Sequence, residues 1–461
     1  MSEVVVRSGG SADSGIELLA CLDPLLREWL PRQRWFAGKG RPVTGFTLVG
    51  AAELLPVEGR LGLHHLLVRV HQGPSRPGDC YQLLIGSRAA LPPRLAPALI
   101  GHVEQGALAG RTVYDALYDA RPADVLLEAL RSEARVGGLC FERDPGQEIR
   151  ADLVPRLVTS EQSNSSLVYG DTFILKLLRR IVPGVNPDLE LPLALAREHC
   201  PRVPPPTAWL RAELDGEASV LAVLQPFVRG ATDGWELALR ELAKSEDFCG
   251  EARALGRATA EVHQALARAL PTVTLGHLQM EALVDGMLER LESAARAVPL
   301  LLPYVPALRS AFTALSDLAE EGRTWTAQRI HGDLHLGQCL RAPGGEWSVI
   351  DFEGEPSKSL AERRLPQPPL RDIAGMLRSF DYAAHSAGAP APEWAAACRA
   401  AYCTGYAQVS GVDPRTDPVL LRAYETDKAI YEVVYEARHR PDWLAVPMKA
   451  IARYTTPADR F

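Results

Sequence analysis

Asp333, Gln338 and Asp351 are spaced as the working oxygens of a group-transfer site. Asp333 lies early in the tight segment Ile330-His331-Gly332-Asp333-Leu334-His335-Leu336-Gly337-Gln338, and Gln338 follows it by five residues. Asp351 comes thirteen residues after Gln338, directly behind the apolar run Trp347-Ser348-Val349-Ile350. That run predicts a short buried strand. Moving a phosphoryl group from ATP to a hydroxyl needs a carboxylate to receive the hydroxyl's proton. It also needs oxygen ligands for Mg²⁺ on the phosphates. Asp333 is the candidate for the first task, Gln338 and Asp351 for the second. A His-x-Asp alone is usually a turn, and an Asp-Phe alone is usually a strand end; order and spacing together carry the reading. His331 reads as a hydrogen-bonded brace of the loop rather than a base. His335 has no assigned role. Glu353 reads first as a second brace, with metal binding as its alternative.

Such a site also needs a cation on the phosphates. Ser166-Leu167-Val168-Tyr169-Gly170-Asp171-Thr172-Phe173-Ile174-Leu175-Lys176-Leu177 predicts strand, tight turn, strand, with Lys176 at the end of an apolar run. There a lysine can reach phosphates while its stem packs on the sheet; the other reading is an edge-strand lysine that blunts aggregation. Just upstream, Glu161-Gln162-Ser163-Asn164-Ser165-Ser166 places small polar residues where a phosphate loop would lie. Ser163, Asn164 and Ser165 are its candidate phosphate contacts. Asn186-Pro187 starts a helix, as N-cap and first helical residue. Glu190 in its first turn is the carboxylate expected to hold Lys176, or else a residue that only favours the helix dipole. The apolar strand and Pro-Gly break in Val223-Leu224-Gln225-Pro226-Phe227-Val228-Arg229-Gly230 reads as a linker. Backbone groups at Gln225, Phe227 and Val228 would read a base there.

The elements that must position these groups fall into three stretches. Residues 1–135 read as a helix from Ile16 to Trp29 followed by strands at Phe46–Val49, Leu66–Val70 and Tyr81–Ile85. Residues 136–229 hold Lys176 in a small strand-rich lobe. Residues 230–461 are dominated by helical periods, Trp235–Glu246, Gly250–Leu270 and Glu281–Ala297, interrupted by the Asp333 loop and its strand. At 461 residues the chain is long enough for two or three packed units. Its 47% hydrophobic and 23% charged residues are ordinary globular values. A net charge of −7 argues against nucleic acid or an anionic membrane as partner. No apolar run is long enough to span a bilayer. Met1-Ser2-Glu3-Val4 has neither the basic region nor the apolar core of a leader. The eight cysteines are scattered without Cys-x-x-Cys, which fits reduced thiols in the cytoplasm.

These motifs resemble those of the aminoglycoside-phosphotransferase-type small-molecule kinases, and more closely those of the actinobacterial maltokinases. The likeness runs nearly the whole length. It includes Leu30-Pro31-Arg32-Gln33-Arg34-Trp35-Phe36-Ala37-Gly38-Lys39-Gly40-Arg41, Glu161-Gln162-Ser163-Asn164-Ser165 and the Asp333 loop. It continues through Arg371-Asp372-Ile373-Ala374-Gly375-Met376 to Tyr431-Glu432-Val433-Val434-Tyr435-Glu436-Ala437-Arg438. Gln338 stands where the wider superfamily has Asn and agrees with the maltokinase-like branch. The resemblance implies an α+β, bilobal protein-kinase-like fold: a small β-rich lobe, a large helical lobe and an extra N-terminal α/β cap. It implies ATP and Mg²⁺ as cofactors, maltose as acceptor and maltose 1-phosphate as product. The product would feed α-glucan synthesis from trehalose-derived maltose, with a trehalose-isomerising enzyme as a possible associate. The branch also includes kinases of glucosamine, so an amino-sugar or aminoglycoside kinase is the alternative, with Glu432 or Glu436 meeting the ammonium. A regulatory pseudokinase is the alternative of another class, opposed by the complete set Lys176, Asp333, Gln338 and Asp351.

Sugar recognition then falls to the helical lobe. Lys428–Arg438 has a helical period with Ile430, Val433, Val434 and Ala437 on its apolar face. Tyr431, Tyr435 and Arg438 follow one another at four and three residues and share another face. Aromatic rings pack on sugar faces, and Trp443 could add a second platform; the competing reading is interhelical core. Tyr382, His331 and Glu353 complete the candidate sugar set. Asp372 reads as a helix cap.

Overall fold

The computed structural model describes residues 12–73, 78–158, 163–386 and 391–455. Glu161 and Gln162 of the expected phosphate loop, and Met1–Val4, lie outside the described residues. The protein divides into two compact units. The first holds the chain up to Leu189 together with Pro205–Arg229; the second holds Glu190–Pro204 and the chain from Gly230 onward. The architecture is α+β, strand-rich in the first unit and helical in the second.

The first unit begins with α1 (Ala12–Trp29), followed by β1 (Gly45–Leu55), β2 (Gly62–His71), β3 (Asp79–Arg88), β4 (Leu99–Val103) and β5 (Arg111–Asp115). These antiparallel strands lie in the order β1-β2-β3-β5-β4. Leu18, Leu22 and Leu26 recur at helical spacing on α1 and share a core with Leu66, Val68, Leu83 and Ile85 of the central strands. Next come α2 (Ala120–Arg131), β6 (Arg135–Val136), β7 (Leu139–Arg143), β8 (Pro155–Val158), β9 (Ser165–Tyr169), β10 (Phe173–Leu177), β11 (Arg180–Ile181) and the start of α3 (Pro187–Arg197). β12 (Ala208–Leu214) and β13 (Glu217–Pro226) complete a seven-stranded sheet in the order β6-β7-β12-β13-β10-β9-β8. The β9–β10 hairpin turns at Gly170 and Asp171, both at positive φ (54° and 49°), the backbone a tight hairpin with right-handed twist requires.

The two sheets of this unit are joined through buried polar groups. β11 pairs with β3, and the Gln82 amide donates to the carbonyls of Leu178 (2.8 Å) and Leu221 (3.0 Å) while its oxygen meets His65 Nε2 (2.7 Å). Buried Arg179 donates to Asp115 Oδ2 (2.6 Å) and to Ser165 Oγ (2.8 Å), with its guanidinium 4.6 Å from the Trp35 ring. Phe36 packs against Tyr81, whose hydroxyl accepts the Ala37 N–H, so the Trp35-Phe36-Ala37 motif is part of this joint.

The second unit contains β14 (Thr232–Asp233), α4 (Gly234–Ala243), α5 (Cys249–Ala269), β15 (Val273–Leu275), α6 (His277–Ala297), α7 (Val305–Glu320), β16 (Trp325–Ala327), β17 (Cys339–Arg341) and β18 (Trp347–Val349). It ends in α8 (Leu360–Arg363), α9 (Leu370–Ser386), α10 (Pro392–Ser410), α11 (Pro418–His439) and α12 (Ala445–Thr455). One continuous core runs through Leu255, Phe312, Trp347, Phe380, Tyr402 and Ile430. At Gly405 a Cβ would sit 2.0 Å from the Arg253 carbonyl, so α5 and α10 cross at backbone contact that only glycine permits. Asp333 lies in the connection from β16 to β17, and Asp351 just past β18. Among the described residues no helix is long and apolar enough to cross a membrane, and all eight cysteines are free thiols.

Candidate active site

The Asp333 loop is irregular backbone, and buried side chains fix its shape. Asp372, at the start of α9, accepts the N–H groups of His331 (2.8 Å) and Gly332 (2.8 Å) on its two oxygens. His263 Nε2 of α5 adds a contact of 3.0 Å to the same carboxylate. Burial pushes the Asp372 carboxyl up, but the His263 contact and the other donors outweigh it and hold it below the usual range. The helix-cap reading of Asp372 is thereby corrected: the carboxylate turns away from its own helix to hold the loop. His331 Nδ1 accepts the Asp333 N–H (3.3 Å), so its Nε2 carries the hydrogen that meets the Ile350 carbonyl (2.9 Å). Both ring nitrogens are committed, which makes His331 a brace between the loop and the residue before Asp351. His335 is also structural on one side, its Nδ1 accepting the Gly337 N–H (3.1 Å).

Asp333 is half-buried and meets Lys428 Nζ at 2.9 Å through Oδ1. Burial raises the Asp333 carboxyl, but Lys428 and His335 outweigh it and hold it well below the carboxylate range. The Gln338 amide nitrogen donates to Asp351 Oδ2 at 2.9 Å, which brings together the two residues expected to bind metal. Asp351 has φ 66°, left-handed backbone that is costly for a non-glycine residue and concentrated at functional sites. A carboxylate and a side-chain amide oxygen are hard ligands that suit Mg²⁺, so the donor set fits the ion. Glu353 contributes its backbone carbonyl to Arg363 (3.4 Å).

A cavity of about 40 Å³ opens beside Asp333, lined by Arg290, Glu355, Lys358, Arg371, Asp427, Lys428 and Tyr431 among others. Its charges are matched. Arg290 holds Asp427 (2.9 Å), Arg371 holds Glu355 (2.8 Å), and Lys358 reaches Glu355 at 3.9 Å. Burial and the neighbouring Arg371 bring the Lys358 ammonium down to about 8, with Glu355 opposing. Sequence reasoning missed most of this lining. One signal was available: Tyr424, Lys428 and Tyr431 lie four and three residues apart, one stripe of α11. A larger cavity of about 280 Å³ elsewhere in the unit is lined by Arg378, Asp381, Arg399 and Arg453. Its arginines are matched by Asp381, Glu432 and Glu425, and it holds no residue of the Asp333 loop.

The expected sugar residues are dispersed. Of them only Tyr431 lines the cavity beside Asp333. Tyr435 stacks on Tyr431 (6.2 Å between ring centres) and is 40% exposed. Tyr382 and Trp443 form a separate parallel pair at 6.3 Å, and Arg438 is exposed. Glu432 and Glu436, named for an ammonium, are instead buried partners of Arg378 (2.6 Å) and Arg440 (2.7 Å). Besides Asp333 and the loop-holding Asp372, the carboxylates that line the cavity are Glu355 and Asp427, each held on one side by an arginine.

The residues expected on the nucleotide side also differ from expectation. Lys176 is on β10 as foreseen, but its carboxylate is Asp188, at 2.9 Å. Glu190 instead meets Arg329 (2.7 Å) and Arg364 (3.4 Å). Residues two apart on a helix point about 200° apart, so only one of these acids can face the lysine. Asn186 accepts the Asp188 N–H (2.8 Å) and fixes which. Ser165 is buried, with its hydroxyl committed to Arg179, and Asn164 Oδ1 receives the Arg179 N–H (3.4 Å). Ser163 is exposed. The Phe227 N–H donates to Thr172 O (2.9 Å), so it is not available to read a base.

Residues 155–412 match the phosphotransferase enzyme family, and residues 29–119 match the maltokinase N-terminal cap domain. The first match covers more than half of the chain, and the protein belongs to the phosphotransferase enzyme family. A glucosamine kinase of Streptacidiphilus jiangxiensis is 29% identical over 319 residues, 63% of this chain and 71% of that one. A glucosamine kinase of Mycolicibacterium smegmatis (strain ATCC 700084 / mc(2)155) is 28% identical over 321 residues, 64% of this chain and 78% of that one. The solved structure of a glucosamine kinase in complex with glucosamine, ADP and inorganic phosphate is similar in fold, with TM-score 0.69 at 23% identity. It covers 98% of this chain and 100% of that chain.

Proposed function

We propose that the protein transfers the γ-phosphoryl group of ATP to a hydroxyl of glucosamine or a closely similar hexosamine. The observation that carries the acceptor class is the pair of carboxylates, Glu355 and Asp427, in a small cavity beside Asp333. Relatives named glucosamine kinase support the same reading. Lys358 reaches Glu355 only at 3.9 Å, the longest ion pair of that cavity, and is the cation a substrate ammonium would displace there. Asp333 orients the acceptor hydroxyl and receives its proton late, because Lys428 keeps the carboxylate a weak base. Lys176, held by Asp188, supplies positive charge for the phosphates. Gln338 and Asp351 would hold Mg²⁺, which spreads the phosphate charge. Most of the rate comes from placement and electrostatics, since a loose phosphoryl transition state needs little covalent help.

The second reading is a kinase of maltose that yields maltose 1-phosphate. It is favoured by the cap-domain match and by the parallel Tyr382–Trp443 pair, a platform suited to a further sugar ring. The discriminating experiment is ADP release over glucosamine, maltose, glucose, trehalose and an aminoglycoside. Strong release with glucosamine and a product that still reduces copper supports the hexosamine reading with a hydroxyl other than the anomeric one. Release with maltose alone and a non-reducing product overturns it in favour of the disaccharide.

A further inference from the structure

We propose that Lys428 is a positioning residue of the phosphotransfer: it pins Oδ1 of Asp333 and leaves Oδ2 to the acceptor hydroxyl. The inference rests on the phosphotransfer reading above and assigns one more residue to it. Three observations carry it. The Lys428 Nζ–Asp333 Oδ1 distance is 2.9 Å, and among the described residues no other side chain donates to that carboxylate. Lys428 stands between Tyr424 and Tyr431 on the stripe of α11 that lines the acceptor cavity. Its ammonium also lies 5.3 Å from the centre of the Tyr431 ring, which restricts the side chain from a second direction.

A carboxylate held at one oxygen cannot swing about its last torsion, so Oδ2 keeps one direction toward the hydroxyl. An isolated Asp333 charge would also repel the incoming phosphates; an ammonium 2.9 Å away turns that charge into a dipole. In the step itself a lone pair of the acceptor oxygen forms the new bond to the γ-phosphorus. The bond from that phosphorus to the β,γ-bridging oxygen breaks, and its electron pair leaves on ADP. The hydroxyl proton passes to Asp333 Oδ2. Lys428 neither gains nor loses a proton.

The test is a variant cycle in the ADP-release assay, with nucleotide affinity measured separately. Lys428→Met is expected to lower kcat by about 10²-fold, the scale of a positioning loss, and to leave ADP affinity within about twofold. Lys428→Arg keeps the charge and is expected to recover at least about tenfold over Lys428→Met. Because the lysine acts through Asp333, adding Lys428→Met to Asp333→Asn should cost less than about threefold more. A Lys428→Met enzyme within about threefold of the parent kcat overturns the proposal, and so do losses that multiply fully in the double variant. If Lys428→Met does not fold, Lys428→Gln is read in the same way; failure of both to fold makes the lysine structural and also overturns it. If the parent accepts no sugar, the acceptor reading has failed, and the cycle is then read on ATP hydrolysis, where water takes the hydroxyl's place.

Discussion

Replacing Asp372 by Asn probes the framework of the catalytic loop with one atom changed. The carboxylate has two oxygens and three neighbours: the Gly332 N–H on Oδ1, and the His331 N–H and His263 Nε2 on Oδ2. His263 Nδ1 lies 3.1 Å from the Tyr406 hydroxyl, a partner that can donate to it and leave Nε2 as the protonated nitrogen. An amide has one oxygen and one NH₂. In its better orientation the oxygen serves His331 and His263, and the NH₂ faces the Gly332 donor. One buried donor is then unpaired, at about 1–3 kcal/mol, and two charge-assisted bonds become neutral ones at about 1 kcal/mol each. The sum is a loss of about 3–5 kcal/mol in the stability of the second unit. A loop displaced by about 1 Å should cost 10²-fold or more in turnover. The assay is urea unfolding followed by tryptophan fluorescence, paired with ADP release at saturating sugar. An Asp372→Asn protein within about 0.5 kcal/mol of the parent and with normal turnover would refute the claim that this carboxylate shapes the loop.

Three further outcomes follow from other parts of the molecule. Arg179→Met leaves Asp115 buried without its guanidinium and should destabilise the first unit by about 3–5 kcal/mol, read by chemical denaturation; a midpoint unchanged from the parent would show that the joint between its sheets does not depend on this pair. Lys358 titrates at about 8 in the fold and at about 10.4 unfolded, so the folded state binds fewer protons between those values and stability rises with pH there. Lys358→Met should therefore be more stable than the parent at pH 7, by at most about 3 kcal/mol, and the gap should close by pH 10; a pH-independent gap would contradict this. Asp351→Ala should nearly abolish turnover at millimolar Mg²⁺ while the melting temperature falls by only about 2–4 °C, the cost of alanine on left-handed backbone, and Gln338→Ala should cost less turnover because an amide brings no charge. Equal losses for the two in a Mg²⁺ titration would count against that division.

How much was legible depended on whether a residue's role was local. The β9–β10 hairpin, the strand before Asp351 and the apolar face of α11 follow from period and turn chemistry within a few residues, and so they could be read. The loop motif carried Asp333, Gln338 and Asp351 as a set, because their spacing is fixed by two short strands of one hairpin. The partners were not legible. Asp372 serves a loop some forty residues upstream, and Lys428 meets Asp333 from 95 residues further along. Glu190 and Asp188 sit in one helical turn, and only the Asx turn at Asn186 decides which of them faces the sheet. Ser165 looked like a phosphate contact because nothing in the chain announces that Arg179, fourteen residues on, takes its hydroxyl. The aromatic set on α11 shared a face as expected, but aromatic rings stack on one another as readily as on sugars.

The central claim is that Asp333 receives the acceptor's proton and does not bind the nucleotide, and Asp333→Asn tests it most directly. The variant keeps the size of the side chain and its reach to Lys428 but cannot take a proton. Turnover with the best sugar of the panel should fall by about 10²–10⁴-fold, while ADP affinity measured by titration calorimetry stays within about twofold. Turnover near the parent's, or a large loss of ADP affinity with little loss of rate, would contradict the account.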